Sequence, residues 1–100
     1  MNVKINKVKY NIKYVSEVAS EKDGTVYLGL CSFITKEISI RKDSKGKKKT
    51  IIHELTHAFM QEYGHNGYDN FDKERVADIV EAFAEEIVIM ANKIIDKLGD

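Results

Sequence analysis

The hydrophobic period of this 100-residue chain changes once, near residue 42, and that change limits the folds open to it. Before it, Val3, Ile5, Val8, Tyr10, Ile12 and Tyr14 fall mostly on alternate positions with Lys and Asn between them. This is the two-residue period of half-buried strands, and a turn near Asn6 and Lys7 makes the segment a hairpin. Residues 15–19 fit a strand or a short helical turn equally well. Asp23 and Gly24 are a second turn signal, after which 26–30 and 37–41 read as two further strands joined around 32–36. Beyond the change, Ile51, Ile52, Leu55, Ala58, Phe59 and Tyr63 recur at three- and four-residue steps. That spacing predicts a helix over roughly 45–63, capped by Asp43 or Ser44 and stopped by Gly64. Residues 64–70 have loop chemistry. Phe71 or Asp72 then begins a second helical period through Val76, Ile79, Val80, Phe83, Ile87 and Ile94. The predicted fold is α+β: a small antiparallel or mixed sheet packed on the first helix, with a second long helix completing the core.

Length allows one domain spanning 1–100, whose core is modest for its surface, so a bound metal would add useful stability. The single cysteine, Cys31, has no intramolecular disulfide partner and reads as a small apolar core residue. No run resembles a secretion signal, and the longest apolar stretches, such as 87–91, are far short of the ~20 residues a membrane helix needs. A cytoplasmic protein with no membrane partner is expected. Sixteen basic and sixteen acidic residues cancel, which argues against strong attraction to nucleic acid. The cancellation hides a split, because residues 1–50 carry 12 basic and 5 acidic side chains and residues 51–100 carry 4 and 11. The Lys run within 45–49 lacks interleaved aromatics and reads as a solvated helix start rather than a nucleic-acid surface.

His53, Glu54 and His57 form an H-E-x-x-H sequence inside the first predicted helix. Residues four apart project from one helical face, so two imidazoles can bind one ion while Glu54, one step around, reaches a water on it. Zinc held by neutral imidazoles lowers the pKa of a bound water to about 7, and a neighbouring carboxylate can take the proton and return it to a leaving amine. Chance placement in a chain of this composition gives the motif with a frequency of about 0.8%.

A catalytic zinc site takes a third protein ligand. The second helix offers Glu74, with Asp78 one turn later on the same face, placed to accept a hydrogen bond from a ligating imidazole and fix its orientation. Glu81, two turns from Glu74 on nearly the same face, is an alternative third ligand. His65 is eight residues beyond His57, not the six of the metzincin pattern, and reads as an exposed loop residue with a lesser role as donor to a reacting carbonyl oxygen. Tyr63 and Tyr68 read as packing or loop residues.

His53-Glu54-Leu55-Thr56-His57 followed by Glu74 and Asp78 resembles the gluzincin metallopeptidases, in particular the minimal gluzincins and small phage or prophage zinc peptidases. The resemblance covers roughly residues 26–90. It implies His53, His57 and Glu74 as zinc ligands, Glu54 as general base, Asp78 as the acid orienting His53, and a peptide or protein substrate. It further implies that the strand 37–41 lines the cleft, where an extended peptide can pair as an added strand; the bland reading is an edge strand guarded by Arg41 and Lys42. Full-sized gluzincins carry a further domain with a donor for the tetrahedral intermediate, for which this chain has no room, so a latent or narrowly specific zinc metalloendopeptidase is implied. Two other classes compete with it: a non-catalytic zinc-stabilised module, and a regulatory phage protein that binds another protein.

Overall fold

Asn6 and Lys7 both adopt positive φ, 50° and 67°, the backbone of a two-residue turn whose twist matches that of the strands it joins. The computed structural model describes residues 1–18, 27–63 and 73–100, with side chains from Val76 onward in the last segment. Within these residues the chain forms β1 (Asn2–Ile5), β2 (Val8–Val15), β3 (Gly29–Ser32), β4 (Glu37–Arg41), α1 (Lys47–Glu62) and α2 (Lys73–Leu98). The fold is α+β, and the strands make one mixed sheet in the order β1-β2-β4-β3. β1 and β2 pair as the expected hairpin with Ile5 opposite Val8. β2 and β4 run parallel, with Ile12 opposite Ile38 and Tyr14 opposite Ile40.

This order corrects two expectations. The strand 37–41 forms as predicted but is paired on both sides, with β2 and with β3; it is neither a guarded edge nor open to an added strand. The edge next to α1 is β3. That strand is also displaced from the predicted 26–30, because the backbone pairs with β4 from Gly29 to Ser32. The turn predicted at Asp23 and Gly24 lies outside the described residues, as does the stop at Gly64.

Alternation decides which face of the sheet is buried. Ile5, Tyr10, Ile12, Cys31, Ile38 and Ile40 point inward and meet Ile51, Leu55, Ala58 and Phe59 of α1, all essentially inaccessible. Those four α1 positions are spaced i, i+4, i+7, i+8, one stripe of a helix. α2 covers α1 with Ile79, Ile87, Ala91 and Ile94, and Tyr63, Phe59 and Phe83 form a three-ring cluster in which the Tyr63 ring centroid lies 4.2 Å from that of Phe83 and 5.8 Å from that of Phe59. Tyr63 is therefore a packing residue. No helix among the described residues is long and apolar enough to cross a membrane.

The start of α1 differs from the predicted cap. Gly46 occupies the N-cap with φ 68°, and no side chain caps the helix. Both predicted caps are engaged at the end of β4: Asp43 pairs with Arg41 at 2.7 Å, and the Ser44 hydroxyl donates to the Arg41 carbonyl at 2.7 Å. Lys47, read from sequence as solvated, is instead buried, its Nζ donating to the Ser44 carbonyl at 2.9 Å and lying 5.7 Å from the Tyr14 ring centroid. The other end of α1 is tied to the sheet through Glu62. The Asn6 side-chain amide donates to its carbonyl at 2.7 Å, while the Tyr10 hydroxyl and Lys36 Nζ both donate to its carboxylate oxygen Oε2. These ties fix the roll and tilt of α1 against the sheet.

Candidate metal centre

Two adjacent stripes of α1 divide the motif. Glu54 lies three residues after Ile51 and four before Ala58, so its position falls on the core-facing stripe, and it is 7% exposed. His53 and His57 lie on the neighbouring, more open stripe with Lys49 one turn before them. Their Nε2 atoms are 3.2 Å apart, and the rings meet edge to face at 75° with centroids 4.8 Å apart. Two nitrogens bound to one tetrahedral zinc ion at ~2.0–2.1 Å would be roughly 3.3 Å apart. The observed separation is therefore close to that of two nitrogens on a shared ion. The same spacing suits an N–H···N hydrogen bond when one ring carries its proton on Nε2; binding an ion requires both rings to carry it on Nδ1.

Glu54 is held from the sheet side. Burial pushes its carboxyl above the usual glutamate range, and this outweighs the opposing effects of the His53 charge and of a hydrogen bond from the Cys31 backbone N–H. A carboxylate raised in this way is a stronger proton acceptor than one in water. The neighbouring Cys31 thiol is pushed up to about 12 by burial, reinforced by the negative charges of Glu54 and Glu62 against the opposing Lys36. It is a core thiol and not a nucleophile at neutral pH.

Two open grooves flank His53. One, of about 380 Å³, runs between α1 and β3 and is lined by Leu28, Gly29, Thr50, His53 and Glu54. The other, of about 410 Å³, lies on the α2 side and is lined by His53, Thr56, His57, Met60 and Val76. Lys49 borders both. Glu54 and the two histidines thus meet at the ridge between the grooves, with Glu54 lining the β3 side and His57 the α2 side.

The remaining residues singled out from sequence are dispersed or outside the description. Glu74 belongs to the first turn of α2, and its side chain lies outside the described residues. Val76, two residues later, lines the same groove as the histidines. Asp78 and Glu81 are exposed on α2. By Phe83 the helix has reached Phe59 and Tyr63 at the far end of α1. His65 and Tyr68 lie outside the described residues. Among the described residues no third His, Cys, Asp or Glu gathers with the two histidines. Sequence reasoning missed the contribution of β3 to the site: Gly29 and the Cys31 amide. A glycine inside a short strand is a recognised sign of close backbone approach, and Gly29 carried that signal.

The model of the IrrE N-terminal-like domain, a peptidase family, matches residues 10–99, and the chain belongs to that family. No significant match occurs among curated proteins or solved structures.

Proposed function

We propose that this member of the IrrE N-terminal-like peptidase family is a zinc-dependent metalloendopeptidase of the gluzincin type. The carrying observation is the convergence of His53 and His57 Nε2 at 3.2 Å beside a buried Glu54. His53, His57 and Glu74 would hold the ion, with Asp78 orienting His53. The position of Val76 in the histidine groove, and the passage of α2 away from the histidines toward Phe83, favour Glu74 over Glu81 as third ligand. When bound, zinc supplies Lewis acidity that lowers the pKa of water and polarises a carbonyl.

The chain's own part begins with the substrate. Just before β3 the Leu28 carbonyl accepts from the Arg41 N–H of β4, and antiparallel pairing alternates, so the peptide groups of Gly29 and Cys31 face away from β4. An extended peptide can pair with the Gly29 peptide group on that edge, the Cys31 N–H being engaged by Glu54, which brings a scissile carbonyl over the groove shared by His53 and Glu54. Glu54 accepts a proton from the attacking water as oxygen bonds to the carbonyl carbon. It delivers the same proton to the amide nitrogen as the C–N bond breaks, leaving a carboxylic acid and an amine, which end as carboxylate and ammonium once the acid's proton passes to the amine. Burial keeps its carboxylate desolvated and basic through this exchange.

Metal analysis of the purified protein tests the reading. The expected result is one zinc per chain, lost in His53→Ala and in Glu74→Ala. A protein without stoichiometric zinc, or a His53→Ala variant with full zinc content, overturns it.

A further inference from the structure

Gly29 sits where β3 passes over α1, and the two elements come close because it has no side chain. A Cβ at this position would lie 2.7 Å from Thr50 Cγ2, 3.1 Å from Glu54 Cγ and 3.3 Å from Glu54 Oε2. The first contact is one that real Cβ atoms essentially never show, and the other two require Glu54 to give by a few tenths of an ångström. Gly29 is not among the residues with positive φ, so the backbone conformation does not call for glycine here. The approach of the helix does. Two residues along the same outward-facing edge, the Cys31 N–H donates to the Glu54 carboxylate. The carboxylate is thus bounded by the Cα of one residue and anchored by the amide of the next residue facing the same way, with His53 beyond it.

We propose that Gly29 is a positioning residue for Glu54. Its missing side chain lets β3 descend far enough for the Cys31 amide to hold the carboxylate, and leaves the carboxylate aimed into the groove beside His53. The catalytic consequence rests on Glu54 acting as the base; the placement itself does not.

The contact with Thr50 would make a simple Gly29→Ala change ambiguous, so the experiment compares G29A, T50S and G29A/T50S, each loaded with zinc. Thr50→Ser removes the Cγ2 that makes the shortest contact and leaves the contacts to Glu54 unchanged. The first readout is the Cys31 amide resonance in 15N-labelled protein, with Glu54→Gln as the reference for loss of the carboxylate. The second is hydrolysis of fluorescein-labelled casein and of a quenched peptide library. Relative to T50S, the double variant is expected to shift the Cys31 amide in the direction set by Glu54→Gln. It is also expected to lose about tenfold in kcat, with KM within about twofold and zinc content unchanged, because sub-ångström misplacement of a reacting group falls on the chemical step. A double variant that matches T50S in both readouts overturns the proposal, since Gly29 would then serve only to accommodate Thr50. If the wild type hydrolyses neither substrate, the peptidase reading is what fails; an unchanged Cys31 resonance in the double variant still overturns the placement.

Discussion

Glu54→Gln separates chemistry from architecture at this site, because the structure limits what else the substitution can disturb. The side chain is 7% exposed among Ile51, Leu55 and Ala58, and glutamine matches glutamate in volume, so no cavity opens and nothing is overpacked. Its amide oxygen can still accept from the Cys31 N–H, which keeps that donor satisfied, while the amide NH2 can turn to the groove that residue 54 lines. What disappears is a buried negative charge and the capacity to take a proton. Folding stability of the metal-free protein should therefore be unchanged or slightly raised, since the charge removed is one that burial disfavours. Turnover should fall by the contribution of a general base, about 10²–10⁴-fold, or ~3–5 kcal/mol of transition-state stabilisation. Neither imidazole is altered, so zinc content should stay at the wild-type level. Casein hydrolysis, metal analysis and a urea titration on the same preparations measure the three quantities. Equal turnover in the two proteins would refute the assignment of Glu54 and favour a zinc-stabilised module without catalysis. Loss of zinc in the variant would refute the division of labour between the two helix stripes.

Two further outcomes test the surroundings of the site. Tyr10→Phe removes one of two donors to Glu62 Oε2 while Lys36 remains at 2.7 Å; a lost bond to a charged acceptor should cost about 1.5–2 kcal/mol and lower the melting temperature by about 10 °C. Burial raises the Glu62 pKa, but the bonds from Lys36 and Tyr10 outweigh it and depress the net value. The stabilisation is therefore complete above the unfolded-state value and is lost as pH falls through the folded one, so the gap between wild type and variant should close below about pH 4. A gap independent of pH would show that the bond to Glu62 is not its source. Cys31, with its thiol near 12 and 1% exposure, should resist a thiol reagent at pH 8 in the native protein and react fully in denaturant; rapid native labelling would mean that β3 opens from the sheet.

Local patterns carried most of the fold. The β1–β2 hairpin was legible because the alternation of Val3, Ile5, Val8 and Tyr10 leaves only Asn6 and Lys7 for the turn, and α1 because its apolar positions repeat at helical steps over four turns. Strand order was not legible. The alternation of Ile38 and Ile40 states that one face of β4 is buried but not which strands flank it, and the parallel pairing with β2 depends on a connection through β3 that local spacing does not encode. The helix cap misled for a similar reason: Asp43 and Ser44 are good caps in isolation, yet both are drawn to Arg41 at the end of β4, and Gly46 takes the position. At the site, the pairing of His53 with His57 follows from i, i+4 spacing. The grip of β3 on Glu54 joins residues 29 and 31 to residue 54, a contact of tertiary origin that no local period records.

The least conspicuous member of the motif is the one with the strongest physical signature. His53 and His57 stand on an open stripe, where imidazoles cost the fold little whatever they bind. Glu54 stands on the stripe that otherwise carries Ile51, Leu55 and Ala58, where a helix shaped for packing alone would place an apolar side chain. A carboxylate there must be desolvated, and the neighbouring His53 together with the Cys31 backbone N–H offsets only part of that cost. Departures from patterning of this kind cluster where a residue is retained for chemistry. The demand that burial makes on stability is also what raises the proton affinity of the carboxylate, so the same geometry that weakens the fold at position 54 makes this side chain a better proton acceptor. A chain of 100 residues has few positions at which it can sustain such a conflict, and this one has it beside the only two described histidines, whose nitrogens already lie at the spacing of a shared metal ion.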